Sequence, residues 1–224
     1  MKILIKNLLR EAFIEKTIEE EYPISWSLEE FKKLRSFNQR IQYCQQHLKR
    51  ISSGSSRIVY KVDDEKVLKL AKNKKGLSQN ELEAEYSSYD DLSDILARTF
   101  DSADDNTWVE MELAKKLTPP IFKQITGFDW EDYKKVMDKQ YYAANPTKDR
   151  WRMADKIVIP NEIEGQMWEN EFIYGMLSLL GNYDIPVGDL LRTNSYGIVK
   201  RNGEDVVVLI DYGINHENYE SYYT

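Results

Sequence analysis

Cysteine is all but missing from this chain: Cys44 is the only one, which excludes an intrachain disulfide and a thiolate zinc cage. A reducing interior such as the cytoplasm suits such a sequence. Histidine is nearly as scarce, and His47 and His216 have no metal-ligand spacing, so no histidine-based metal or nucleophilic site is expected. Long apolar runs are absent too. The longest, such as 206–210, fall far short of the roughly 20 residues that span a bilayer. The opening MKILIKNLLREAF has lysines in an apolar stripe but lacks the unbroken apolar core and small-residue cleavage site of a secretory signal, and export is not expected. Positive charge is in deficit, with a net charge of −7 and a pI of 5.1, which argues against nucleic acid or an anionic membrane as partner. Internal repeats and low-complexity linkers are also lacking.

What is present suffices for a sizeable core: 42% of 224 residues are hydrophobic, enough for one large domain or two small lobes. Ile5, Leu8, Leu9, Ala12 and Phe13 have the spacing of an amphipathic helix suited to docking. Ser27 with Glu30 and Ser36 with Gln39 match the capping-box pattern. They predict two further helices that bury Phe31, Leu34, Phe37, Ile41, Cys44 and Leu48. Residues 1–50 therefore read as a helical extension. The pattern then changes. Residues 57–62 and 66–70 alternate around the turn Asp63-Asp64-Glu65 and predict a β-hairpin. A helix is expected over 78–91 and a strand over 107–113. Helical patterns return over 118–142 and over 161–180, where Ile163, Met167, Phe172, Met176 and Leu179 or Leu180 face a core, with a loop over 141–151. The last elements are strands over 195–200 and 206–211, joined at Asn202-Gly203, which tolerate positive φ.

The most specific feature is VGDLLRTN followed by VVVLIDYG. Asp189 and Asn194 stand in a D-x-x-x-x-N spacing, and Asp211 ends an apolar strand before Tyr212-Gly213. Phosphoryl transfer uses such a set: one carboxylate to orient a hydroxyl and take its proton, and an amide with a second carboxylate to hold a hard cation by oxygen. The pattern resembles the protein-kinase-like superfamily, whose catalytic loop has the same spacing and whose metal-binding strand ends in Asp-Phe-Gly. The resemblance covers residues 51–224. It implies an α+β, bilobal protein-kinase-like fold, with a small β-rich lobe over 51–114 and a reduced, mainly helical lobe over 115–224. It further implies Asp189 as catalytic aspartate, Asn194 and Asp211 as Mg2+ ligands, and ATP as the nucleotide.

Upstream, ISSGSSRIVYKV stands where the family has its glycine-rich loop, and Lys69 in VLKL where it presents a lysine to the phosphates. Gly54 is the one glycine kept; Ser52 and Arg57 occupy the flanking glycine positions. Close backbone approach to phosphate is then limited to Gly54, with Ser53, Ser55 and Ser56 supplying hydroxyls. Lys69 needs an acidic partner from the following helix. If Leu82, Tyr86 and Tyr89 line its buried face, Glu83 is the first choice, Glu85 the second and Glu81 the third. WVEMELA matches the strand entering the hinge, with Met111 at the back of the adenine pocket and Glu112 to Ala114 offering backbone groups.

Two departures qualify the resemblance. Val187-Gly188 replace the usual His-Arg, and Gly-Asp-Leu is similar to the aminoglycoside and choline phosphotransferase branch, which acts on small molecules. That branch typically has histidine where this chain has Val187. Eleven residues follow Gly213, so neither an activation segment nor a peptide-binding platform is expected. The expectation is an atypical phosphotransferase of unspecified acceptor, the alternative a pseudokinase-like binding or scaffold module. Residues 1–22 and the tail with Tyr212, His216, Tyr219, Tyr222 and Tyr223 are candidate docking segments for a protein partner, the alternative for the four tyrosines being to pack on the large lobe. The opening segment also resembles those of tailed-phage proteins, and Leu9-Arg10-Glu11 is similar to prohead-protease sites. A virion-associated protein, located in the host cytoplasm or the particle, is a further expectation.

Overall fold

The structure is a computed structural model that describes residues 26–144, 153–183 and 185–215. The helix expected at 5–13, the docking segment 1–22 with Leu9-Arg10-Glu11, and the tail from His216 lie outside the described residues. The chain divides into two compact units, one ending at Lys49 and one running Arg50–Thr224.

In the first unit, Ser27 caps helix α1 (Leu28–Lys33) and Ser36 caps helix α2 (Phe37–His47). The second cap is reciprocal: Ser36 Oγ accepts the Gln39 N–H, and Gln39 Oε1 accepts the Ser36 N–H at 3.2 Å. Phe31, Cys44 and Leu48 are buried, and burial pushes the Cys44 thiol up to about 12, so it is inert as a nucleophile. Phe37, expected inside, is 38% exposed. Arg40 takes the inner position instead, donating from Nε to the Leu34 carbonyl at 3.0 Å with its guanidinium over the Phe31 ring.

The second unit is α+β, with its strands in two sheets. Strands β1 (Lys49–Ser53), β2 (Arg57–Lys61) and β3 (Lys66–Ala71) are followed by helix α3 (Lys74–Tyr86), then β4 (Thr99–Ser102) and β5 (Trp108–Glu112). They form one sheet in the order β1-β2-β3-β5-β4. Strand β6 (Lys115–Lys116) precedes helices α4 (Pro119–Thr126), α5 (Trp130–Ala144), α6 (Asn161–Glu169), α7 (Glu171–Asn182) and α8 (Val187–Leu190). It then pairs with β7 (Tyr196–Arg201), which pairs with β8 (Glu204–Leu209). Asn202 and Gly203, at φ 52° and 89°, make the tight β7–β8 turn. Phe122, Trp130, Tyr133 and Tyr196 fill the core between these helices and the second sheet, with ring centroids 5.0–6.1 Å apart. No helix among the described residues is long and apolar enough to cross a membrane.

Several elements differ from expectation. The helix expected over 78–91 starts at Lys74, where Asn73 Oδ1 accepts the Gly76 N–H, and stops at Tyr86. The 161–180 pattern is two helices, because Asn170 closes α6 with extended backbone and its Oδ1 accepts the Ile173 N–H to open α7. Residues 141–144, expected as loop, complete α5. Strand β4 has too short and polar a sequence, TFDS, to announce itself. Strand β8 ends at Leu209, so Asp211 lies two residues beyond it rather than at its last position.

Candidate active site

Register decides which side chains share a face of the first sheet. Val59 is paired with Lys69, Arg57 with Ala71, Lys69 with Val109 and Val67 with Met111. Directly paired residues project to the same side, so Arg57, Lys69 and Met111 look out from one face. Helix α3 crosses near it. Leu82 and Tyr86 anchor the helix in the core, and Glu83, one residue further round from Leu82, is completely buried.

Lys69 Nζ donates to both Glu83 oxygens, at 2.9 and 3.0 Å, and to the Ile210 carbonyl at 2.7 Å. All three ammonium protons are thereby engaged. Glu81 and Glu85 are exposed, and Glu85 accepts from Tyr89 Oη instead. A second cation joins the pair. Arg57 Nη1 lies 2.6 Å from Glu83 Oε2, while Nη2 donates to Asp211 Oδ1 at 2.9 Å. Two cations and two carboxylates thus balance within one cluster. Burial draws the Lys69 ammonium below its ordinary pKa, with Glu83 only partly opposing it. Burial also works against the Arg57 charge, but Glu83 and Asp211 outweigh it and hold the guanidinium above its usual value.

The far side of the cluster comes from the second sheet. A 3-10 turn, Thr193–Ser195, leads into β7, and the Ser195 carbonyl accepts the N–H groups of Ile210 and Asp211 at 2.8 and 3.3 Å. The backbone one residue past Asn194 is thereby tied to that of Asp211. Asn194 and Asp211 are both exposed, Asp211 by 49% of its side chain. Tyr212 is buried and donates from Oη to the Ala97 carbonyl at 2.7 Å. Gly213 packs on α3 so closely that a Cβ there would meet the Gln79 carbonyl at 2.5 Å, which fixes the backbone just after Asp211.

Asp189 sits in α8, half-buried, with Arg192 Nη1 3.3 Å from its Oδ1. Burial raises its pKa, Arg192 opposes the rise, and Asp211 adds to it. Tyr196 Oη, itself 2.8 Å from Tyr133 Oη, donates to the Leu190 carbonyl at 2.8 Å and so holds the residue next to Asp189. Replacing Tyr196 with Phe strands that buried carbonyl. A loss of about 1–3 kcal/mol is expected, read as a lower urea midpoint with unchanged m-value.

The nucleotide positions expected from sequence are distributed around this cluster. Gly54 is exposed, and an added Cβ there would meet nothing nearer than the Arg57 carbonyl at 4.0 Å. Its loop is tied to the α3 end: Lys72 Nζ donates to the Gly54 carbonyl at 2.7 Å, Asn73 Nδ2 to the Ser55 carbonyl at 3.1 Å, and Ser56 Oγ to Gln79 Oε1 at 2.5 Å. Met111 is buried on the Lys69 face. Glu112 turns its side chain to Arg201, whose Nη2 lies 2.6 Å from Oε2. The Glu112 and Leu113 N–H groups already serve the Arg98 and Glu65 carbonyls. Ala114, the third residue expected at the hinge, takes no part in those two bonds.

No family model matches the sequence, and no curated protein does. Among solved structures the chain is similar to a ternary complex of streptomycin, ATP and APH(2")-IIa, at 13% identity over 80% of this chain and 71% of that one, with a TM-score of 0.38. It is also similar to the ADP-bound aminoglycoside phosphotransferase APH(2'')-Ib, at 14% identity over 80% and 71%, with a TM-score of 0.36. Superpositions this loose transfer no activity.

Could the site take Mg2+? Asp211 and Asn194 offer a carboxylate and an amide, the oxygen donors such a cation prefers, and nucleotide phosphates and water normally supply the rest. Among the described residues no group of three or more His, Cys, Asp or Glu forms a cage, so a shared, open site is the kind these residues fit. One Asp211 oxygen is already held by Arg57.

Two residues of the site escaped the sequence. Arg57 counted there only as a lost glycine. Lys75, in the first turn of α3, is close enough for Asp189 and Asp211 to oppose the fall in pKa that its burial causes. A signal for it existed: α3 opens on Lys74-Lys75 with no acidic residue in its first turn. That arrangement opposes the helix dipole unless anions lie in front of it.

Proposed function

We propose that the chain is an ATP- and Mg2+-dependent phosphotransferase of protein-kinase-like fold, with 51–114 and 115–224 as its lobes and 1–50 as a helical extension. The observation that carries this reading is the Lys69 ammonium, held at once by Glu83 of α3 and by the Ile210 carbonyl, one residue before Asp211. It links β3, α3 and the Asp-Tyr-Gly turn at a single atom, where α and β phosphates need a positive charge. Asn194 and Asp211 are the residues to hold Mg2+, which when bound neutralises phosphate charge. Met111 borders the adenine, Ala114 is the hinge residue whose N–H serves it, and Gly54 and Ser55 lie over the phosphates. Asp189 orients the acceptor hydroxyl and takes its proton as the acceptor oxygen bonds to the γ-phosphorus. The bond from that phosphorus to the β,γ-bridging oxygen breaks in the same displacement, and ADP departs.

A second reading, a kinase-like binding module, is favoured by one observation: Lys69 and Arg57 are already saturated by the protein's own groups. Radiolabelled ATP with Mg2+, followed for transfer, self-modification and phosphate release alongside a thermal shift, separates the two. The phosphotransferase reading expects both stabilisation and turnover. Stabilisation without turnover, or neither effect, favours the module, which holds nucleotide or nothing.

A further inference from the structure

We propose that Arg57 is a resident counter-cation that a divalent ion must displace from Asp211, so that this side chain sets the cation concentration at which the site loads. The inference rests on Asp211 being the cation ligand of the proposed site. Its ground is the guanidinium, whose two terminal nitrogens are divided between Glu83 and Asp211, while Nη1 also donates to Asn80 Oδ1 at 3.4 Å. The side chain is only 9% exposed, so its charge is balanced by these carboxylates rather than by water. Lys69 already neutralises Glu83 from the other side. The cluster is therefore complete without a metal, and a dication arriving at Asp211 meets a like charge on the very carboxylate it needs.

The backbone cannot relieve this conflict cheaply. Arg57 is the first residue of β2 and pairs with Ala71, and the loop before it is fastened to the start of α3 through Lys72, Asn73 and Ser56. What must give way is the side chain, by rotation about its own bonds away from Asp211. The half-exposed Asp211 carboxylate offers the opening through which exchange proceeds. A glycine at this position would leave Asp211 uncovered. The arginine turns an open ligand into one that is held until a competing ion is abundant.

The test is Mn2+ binding to the full chain, without nucleotide, followed by the electron paramagnetic resonance of free Mn2+. Arg57→Gln should lower the Kd by roughly tenfold or more, the scale of one charge-assisted contact, and adding Asp211→Asn should abolish that gain. Arg57→Lys keeps a charge but cannot bridge two carboxylates as a planar fork does, so it should fall between the two and stands in if the Gln variant fails to fold. A Kd unchanged in the substituted proteins, or a gain that survives loss of Asp211, overturns the proposal. ATP turnover with an unshifted Mn2+ Kd would sink the role of Arg57 and leave the phosphotransferase standing. A shifted Kd without turnover would do the reverse.

Discussion

Asp189→Asn is expected to lower phosphoryl transfer by about a hundredfold to ten-thousandfold, the range that a positioned general base contributes, while leaving thermal stabilisation by ATP with Mg2+ in place. The contrast follows from position. Asp189 lies on α8 and is held by Arg192 and, through Leu190, by Tyr196, whereas the proposed phosphate and cation contacts fall to Lys69, Asn194 and Asp211. A pH profile adds a second readout. Burial raises the Asp189 pKa despite Arg192, and in the proposed role of base the residue works only when ionised. The wild-type rate should therefore fall on acidification at a higher pH than an exposed aspartate, near 3.9, would give. An Asp189→Asn protein that turns over at the wild-type rate, or an acid limb at the position of an exposed aspartate, would remove Asp189 from the mechanism.

Legibility in the sequence followed the range of the interaction. Asp189, Asn194 and Asp211 could be singled out because their spacings are local, and the Ser195 carbonyl, one residue past Asn194, accepts the Asp211 N–H. Glu83 could be chosen over Glu81 and Glu85 because helical periodicity places it next to the buried Leu82. Arg57 could not be read in the same way. Its destination depends on the register of β2 against β3, on where α3 presents Glu83, and on a turn 154 residues away. A pattern that asks only for glycine records such a residue as a defect. The helix break at Asn170 was hidden for a related reason, since apolar spacing runs on through it and only the Asn170 cap reveals the change of direction. Strand β4 is held by β5 rather than by any property of TFDS, as short strands commonly are.

Glu83→Ala should be the most destabilising single change in the site, by about 3–5 kcal/mol, because it leaves buried cations without their carboxylate. Glu83 is fully buried and lies within 3.0 Å of both Lys69 and Arg57, and neither cation has water to turn to. Against the roughly 5–15 kcal/mol that a domain has in total, the loss is large enough to shift the unfolding midpoint in urea. The pH dependence distinguishes this cause from a simple cavity. The Lys69 pKa is already depressed by burial with Glu83 opposing the fall, and without Glu83 it should fall further. The unfolded chain then binds more protons than the folded one, so stability rises with pH up to the unfolded lysine value of about 10.4. The deficit of Glu83→Ala relative to wild type should accordingly shrink as pH is raised, whereas a deficit due to lost packing alone would stay constant. Glu83→Gln, which fills the same volume and keeps one acceptor, should lose less. A Glu83→Ala protein as stable as wild type at neutral pH would mean that Lys69 and Arg57 are not held by Glu83 in solution, and the competition at Asp211 would lose its foundation as well.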